Sequence, residues 1–369
     1  MAPVTSNINM RVLRVKNTVS WHALNESYFK IHQEPKPDVQ DGDILVRTLY
    51  IGLDPFNGLQ FVGPSDEEVA EPLRGYGLGE VVETKNSQFQ VGELVFGISI
   101  TWDTYSLQKN PSNDLIIVPR ARELAQQGKV PLSAYMGILG MPGLTGYQSL
   151  ELYGNLKAGQ TIFVSSAAGG VGQAAVQFAK LKGVKVIGSA GSQDKVDYLK
   201  NTLGLDYVIN YKTQDIRIEL DRIAPQGVDL FLDLVGSEMF DVALEKTKRF
   251  GRVLTLGIVA SIYHDGPAPG ESAGAKTIVN DAADKTVTTY TTKNLPLIIT
   301  KELQVNGLNS YEHYHTYPQF WAATQELFAE GKIRSTETVV DGLESVPKAY
   351  AQILTGQYQG KVVAKVADL

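Results

Sequence analysis

The sequence predicts an α/β protein in two parts, a β-rich domain of short strands and a doubly wound parallel sheet. Three observations predict it. The first 140 residues are rich in Val, Ile, Tyr and Gly, in short alternating runs broken by turn residues. From Gln160 to Gly257, apolar strand runs alternate with helical periods, as in successive βαβ units. After the first of those strands comes Ser165-Ser166-Ala167-Ala168-Gly169-Gly170-Val171-Gly172, a glycine-rich run that opens a helix.

In the β-rich part, Asp43–Tyr50 and Gly79–Val82 read as strands. Gln40-Asp41-Gly42, Asp54-Pro55 and Pro64-Ser65 read as turns, and Arg74-Gly75-Tyr76-Gly77 as a glycine turn. The texture changes near Gly137. Strands are then expected at Thr161–Ser165, Lys185–Ser189, Tyr207–Asn210, Asp229–Leu234 and Arg252–Leu256. Helices lie between them, notably Gly170–Lys182 and Gln193–Leu203. Ser261–Asn294 is rich in Gly, Ala, Pro, Thr and Asp, and a loop that long is expected to be a lid or partly disordered. A helix–strand segment (Leu295–Gly307), an amphipathic helix (Gln319–Glu330) and a short tail ending in the strand Lys361–Val366 complete the chain.

Composition narrows the function. At 369 residues, 43% of them hydrophobic and 20% charged, the chain reads as an ordinary soluble protein large enough for two domains. The formal net charge of -6, with no basic run, argues against a nucleic-acid surface. The absence of cysteine excludes a disulfide framework, an iron–sulfur cluster, a thiolate zinc site and a cysteine nucleophile. Five histidines occur, but no HExxH pair, and His313 and His315 are two apart, a spacing that suits no helical metal pair. No GxSxG elbow suggests a hydrolase triad. The amino terminus lacks a signal-peptide core, and no stretch approaches the ~20 apolar residues of a membrane span. A soluble cytoplasmic protein is expected.

The glycine run carries the chemistry. It follows the GxGxxG pattern with Ala167 in the first glycine's place. Gly169 lets backbone amides approach a pyrophosphate, and Gly172 lets the helix pack against the sheet. The helix amino terminus adds partial positive charge at the phosphates. An NAD site ends its second strand in an acid that holds the ribose diol. Here that strand ends in Gly188-Ser189-Ala190-Gly191-Ser192, and the first acid, Asp194, stands beside Lys195. Small hydroxyl residues and a lysine suit a 2′-phosphate, and Tyr211, closing the third strand, can line the same pocket. The expected cofactor is therefore NADPH.

Further runs carry a resemblance. Gly140-Met141-Pro142-Gly143-Leu144-Thr145-Gly146-Tyr147, Ala167–Gly172, Lys180-Leu181-Lys182-Gly183 and Asn210-Tyr211-Lys212 resemble the zinc-free medium-chain dehydrogenase/reductase superfamily. Within it the chain is most similar to the NADPH-dependent alkenal/one double-bond reductases, the group of the leukotriene B4 dehydrogenase/prostaglandin reductases and plant double-bond reductases. Early landmarks are Leu53-Asp54-Pro55-Phe56, Arg74-Gly75-Tyr76-Gly77 and Trp102-Asp103-Thr104-Tyr105-Ser106; late ones are Glu330-Gly331-Lys332-Ile333 and Gly360-Lys361.

The resemblance implies a Rossmann sheet inserted into a GroES-like β-barrel catalytic domain, with 1–140 and 311–369 forming the barrel and 141–310 the NADPH-binding domain. It implies cofactor contacts from Met141, Thr145, Ala167, Gly169, Gly170, Val171, Gly172, Gly191, Ser192, Lys195, Tyr211 and Gly257. It gives Lys195 and Tyr211 the 2′-phosphate and puts Met141 and Thr145 near the nicotinamide. Tyr263 is the implied hydroxyl donor to the substrate carbonyl, and Tyr76 is a second hydroxyl candidate. The family usually has Asp-Pro-Tyr-Met-Arg where this chain has Asp54-Pro55-Phe56-Asn57-Gly58, His264 replaces an asparagine, and Leu234 stands where an asparagine is expected. The expected reaction is metal-free hydride transfer from NADPH to the β-carbon of an enal or enone, by a homodimer. A quinone reductase and a non-catalytic NADPH-binding protein are the alternatives.

Overall fold

The computed structural model describes residues 7–18, 24–61, 68–111, 115–257, 292–353 and 357–369, with the backbone of 276–278 and 286–288. Tyr263 and His264, the bulk of the loop expected at Ser261–Asn294, and the Pro64-Ser65 turn lie outside the described residues. The chain divides into two compact units, Met1–Met141 with Tyr314–Leu369, and Pro142–His313.

The first unit is built of short strands. β1 (Ile8–Lys16) pairs antiparallel with β2 (Phe29–Pro35) and with β4 (Glu68–Pro72). β3 (Ile44–Leu53), β5 (Arg74–Thr84), β6 (Leu94–Thr101), β7 (Tyr105–Gln108) and β8 (Leu115–Ile117) form a larger sheet. Ile44, Val46, Val81, Val95, Ile100 and Leu115 cluster as one core. The glycine turn expected at Arg74–Gly77 is instead the start of the strand β5. Its glycines serve close packing. A Cβ on Gly77 would stand 2.9 Å from the Tyr50 carbonyl oxygen, and one on Gly79 2.3 Å from Val46 Cγ1. The absence of side chains there lets β3 and β5 approach, so the run signals contact between strands and not a reversal. α1 (Ala121–Gln126) follows.

In the second unit α2 (Met141–Gln148) leads to a six-stranded sheet in the order β11-β10-β9-β12-β13-β16. Its elements are β9 (Thr161–Val164), α3 (Gly170–Leu181), β10 (Lys185–Ala190), α4 (Gln193–Asp197), β11 (Tyr207–Asn210), α5 (Ile216–Ile223), β12 (Val228–Asp233), α6 (Glu238–Lys246) and β13 (Thr247–Thr255). The short pair β14 (Lys276–Ile278) and β15 (Thr286–Thr288) comes next, then α7 (Pro296–Thr300) and the edge strand β16 (Gln304–Gly307). All strand pairs of the six-stranded sheet are parallel. The order reverses between β9 and β12, which makes a switch point where crossovers leave for opposite sides and open a crevice. β12 is buried along its whole length, as a central parallel strand covered on both faces must be. The helix expected at Gln193–Leu203 continues beyond α4 as a π-turn, Tyr198–Thr202.

The chain then returns to the first unit with α8 (Tyr317–Ala329), β17 (Glu337–Asp341), α9 (Val346–Ile353) and β18 (Lys361–Lys365). β18 joins β3 antiparallel, Val362 opposite Leu53, and β17 parallel, so the carboxyl-terminal segment completes the sheet that the amino-terminal segment begins.

Candidate cofactor and active site

The expected cofactor residues of the second unit gather at the carboxyl ends of its parallel strands. The glycine run leaves β9, Gly191 and Ser192 leave β10, Tyr211 follows β11 and Gly257 lies just beyond β13. Crevices of this kind take ligands because helix amino termini and loop amides converge there.

The glycine run is shaped by close approach. A Cβ on Gly172 would lie 2.3 Å from the Ser166 carbonyl oxygen and 2.7 Å from Ala167 Cα, so only glycine fits where α3 crosses the turn. Ala167 is buried, and its amide donates to the Ser189 carbonyl at 2.8 Å, which pins the turn to β10. Gly169 is the cap of α3 and its amide donates to Ser166 O at 3.0 Å. No side chain caps this helix. The first-turn amides at Gly170, Val171 and Gly172 therefore suit an anionic group, and a pyrophosphate fits.

The other end of the crevice suits a 2′-phosphate. A Cβ on Gly191 would lie 2.4 Å from Tyr211 Oη, so the phenol rests directly over that glycine. The Ser192 hydroxyl caps α4 by accepting from the Lys195 amide. Partial burial holds the Lys195 ammonium below the usual lysine range, a cost that an adjacent phosphate removes. Lys212 Nζ stands 5.7 Å from the centre of the Tyr211 ring. No carboxylate closes β10.

Gly257 accepts no side chain either, since its Cβ would lie 1.9 Å from the Leu234 carbonyl oxygen. Its amide donates to Asp233 O at 3.3 Å, which ties the end of β13 to the end of β12. Met141 and Thr145 are buried one turn apart on α2. A Cβ on Gly146 would lie 2.8 Å from the Ala175 amide nitrogen, so α2 packs tightly on α3.

One residue escaped the sequence reading. Asp233 closes β12 fully buried. Its Oδ1 accepts from the Val235 amide (2.9 Å), the Gly236 amide (3.0 Å) and Ser165 Oγ (3.3 Å). Ser165 Oγ in turn accepts from the Leu234 amide at 2.8 Å, so the turn after β12 is knitted to the root of the glycine run. Burial raises the Asp233 pKa and outweighs the two amides and the hydroxyl that lower it. An acid ending the apolar run Asp229–Asp233 was the available signal.

In the first unit Tyr76 lies on β5, 3% exposed, with its ring 6.1 Å from that of Phe96. Tyr263 lies outside the described residues. Among the described residues, no group of three or more His, Cys, Asp or Glu side chains could hold a metal ion. Among them, too, no helix is long and apolar enough to cross a membrane.

Residues 170–326 match the family model "Zinc-binding dehydrogenase", and residues 19–116 match "N-terminal domain of oxidoreductase". The chain is 35% identical over 332 residues to 2-alkenal reductase (NADP(+)-dependent) of Nicotiana tabacum, covering 88% of each chain. It is 34% identical over 337 residues to (+)-pulegone reductase of Mentha piperita, covering 90% of each, and 34% identical over 344 residues to prostaglandin reductase 1 of Bos taurus, covering 92% of this chain and 94% of that one. Among solved structures, CurA of Vibrio vulnificus in complex with NADPH superposes with a TM-score of 0.79 at 26% identity, over 98% of this chain and all of that one. The chain belongs to the medium-chain dehydrogenase/reductase family and, within it, to the NADPH-dependent alkenal/double-bond reductases.

Proposed function

We propose that this chain uses NADPH to reduce the carbon–carbon double bond of α,β-unsaturated aldehydes or ketones, without a metal. The observation that carries the reading is the meeting of Tyr211, Gly191, Ser192 and Lys195 at the end of β10, where an NAD site would keep an acid. Relatives named as NADP-dependent alkenal, pulegone and prostaglandin reductases supply the reaction class.

The glycine run and the α3 amino terminus hold the pyrophosphate, and Lys195 with Tyr211 holds the 2′-phosphate. Met141, Thr145 and Gly257 bound the nicotinamide end. When bound, NADPH supplies the hydride that reaches the β-carbon. Negative charge then develops on the carbonyl oxygen, and a proton completes the α-carbon. An α,β-unsaturated carbonyl is already polarised, so a hydroxyl donor serves where related enzymes use zinc. Tyr263 is assigned as that donor and Tyr76 as a second hydroxyl from the barrel. We assign the enzyme to the cytoplasm as a homodimer, the latter testable by light scattering.

Consumption of NADPH against a panel of enals, enones and quinones tests the reading. Turnover on the first two and not on the third is expected, and turnover on quinones alone, or on none, refutes it. Tyr263→Phe removes the donor and keeps the ring. Its kcat should fall on the order of 10²-fold, with NADPH affinity unchanged. If Tyr263→Phe keeps its kcat while Tyr76→Phe does not, the donor comes from the barrel.

A further inference from the structure

Three landmark stretches of the first unit, Leu53-Asp54-Pro55-Phe56, Arg74-Gly75-Tyr76-Gly77 and Gly360-Lys361, converge on one ammonium group. Lys361 begins β18 and is 3% exposed. Its Nζ forms an ion pair with Asp54, donates to the Leu53 carbonyl at 2.6 Å, and stands 4.9 Å from the centre of the Tyr76 ring. Burial lowers the Lys361 pKa, and Asp54 partly restores it. The Tyr76 ring is also held from β3. A Cβ on Gly52 would lie 2.3 Å from Tyr76 Cε2, so this strand-interior glycine exists to admit the ring.

Each of these features is costly on its own. A buried ion pair is rarely more stabilising than apolar side chains of the same shape. A glycine inside a strand weakens it, and a buried phenol needs a partner that phenylalanine would not. Packing alone would be served by Phe at 76, Ala at 52 and an aliphatic residue at 361. Costs concentrated on one ring mark a functional constraint.

We propose that Lys361 is a positioning residue for the reduction. Through Asp54 and the face of Tyr76 it fixes the Tyr76 phenol in its working orientation. The inference rests on the reading of Tyr76 as a hydroxyl of the active site.

The test compares Lys361→Met, Tyr76→Phe and the double variant, reduced with a short 2-alkenal such as 2-hexenal. The readouts are kcat, KM, NADPH affinity and melting temperature. Lys361→Met leaves the Asp54 carboxylate without its counter-ion, so the melting temperature should fall; at a temperature where the variant is folded, kcat should still drop about tenfold or more while NADPH affinity stays unchanged. The double variant should be no slower than the slower single variant, because both changes act on one hydroxyl. Full kcat in Lys361→Met, or losses that simply multiply, overturns the inference and leaves the reading of Tyr76 standing. Full kcat in Tyr76→Phe removes that reading and the inference together. Asp54→Asn keeps the lysine and the shape of the turn, and it should lower kcat in the same direction by a smaller factor. Should Lys361→Met not fold, full kcat in Asp54→Asn overturns the inference.

Discussion

Gly191→Ala should cost this enzyme part of its preference for NADPH over NADH, the part that Tyr211 supplies, and leave the share of Lys195 in place. The added Cβ would lie 2.4 Å from Tyr211 Oη, 2.7 Å from Cζ and 3.1 Å from Cε1, so the ring must move. It has somewhere to go, because Tyr211 is 47% exposed and can swing into solvent. Gly191 does not have a left-handed backbone, so alanine is tolerated and the fold should keep its stability. On the proposed assignment of Tyr211 to the 2′-phosphate, what is lost is one phenol hydrogen bond to a charged group, about 1.5–3 kcal/mol. That corresponds to NADPH binding weaker by about 10- to 150-fold. NADH carries no 2′-phosphate, and its affinity should be unaffected. Titrations followed by nicotinamide fluorescence, with adenosine 2′,5′-bisphosphate as a second ligand, measure both. Tyr211→Phe should reproduce the loss, and the double variant should add nothing to it. Equal weakening of NADPH and NADH would refute the reasoning, because the glycine would then serve the turn and not the phenol.

Lys195→Ala should weaken NADPH by a similar factor and leave NADH alone; equal losses would remove the lysine from the 2′-phosphate site. Activity should survive dialysis against a chelator, and one tightly bound zinc per chain would overturn the metal-free reading. A third test concerns stability. Asp103 is buried, and burial raises its pKa to about 6 from 3.8 despite its bonds to Thr101 and Arg11. Because the folded value is the higher one, its contribution is fully present below about pH 3.8 and is lost as pH rises through about 6. The difference is about 3 kcal/mol. Urea unfolding of wild type and Asp103→Asn at pH 4 and 7.5 should show wild type losing about that much relative to the variant; parallel profiles would refute it.

The nucleotide-binding unit was legible because its signals are local. The glycine run lies between a strand and a helix that periodicity alone identifies, and the missing acid after β10 is visible in Gly188–Ser192. Asp233 was visible only as an acid ending an apolar strand, and its role was not, because that depends on Ser165, 68 residues away. The glycines of β5 were legible as unusual but misread. Gly77 and Gly79 make room for Tyr50, Arg47 and Val46, contacts that only strand pairing creates. The pairing of Lys361 with Asp54 joins landmarks 308 residues apart on the Lys361–Leu53 bond that accompanies it, a distance no local pattern spans.

The departure at Phe56-Asn57-Gly58 gains meaning from the same kind of contact. Asn57 is buried, with its Oδ1 accepting from the Asp54 amide at 2.8 Å and its Nδ2 donating to Arg74 O at 3.1 Å. Gln60 grips the same residue, donating to Arg74 O at 2.7 Å and accepting from its amide at 3.0 Å. Tyr350 donates to the Pro55 carbonyl at 3.2 Å from α9. Asparagine at 57 therefore strengthens the turn and does not replace a recognition group. The turn is held from three sides, and it displays Phe56, 54% exposed, at the position where the resemblance implies a tyrosine. A rigid turn presenting a ring without a hydroxyl favours apolar contact over hydrogen bonding. With no cation at Gly58, nothing in Phe56–Gly58 attracts an anionic substrate. Phe56→Tyr tests whether this turn takes part in substrate choice: a shift of kcat/KM toward more polar enals with NADPH affinity unchanged is expected, and an unchanged ratio between polar and apolar substrates would remove Phe56 from recognition.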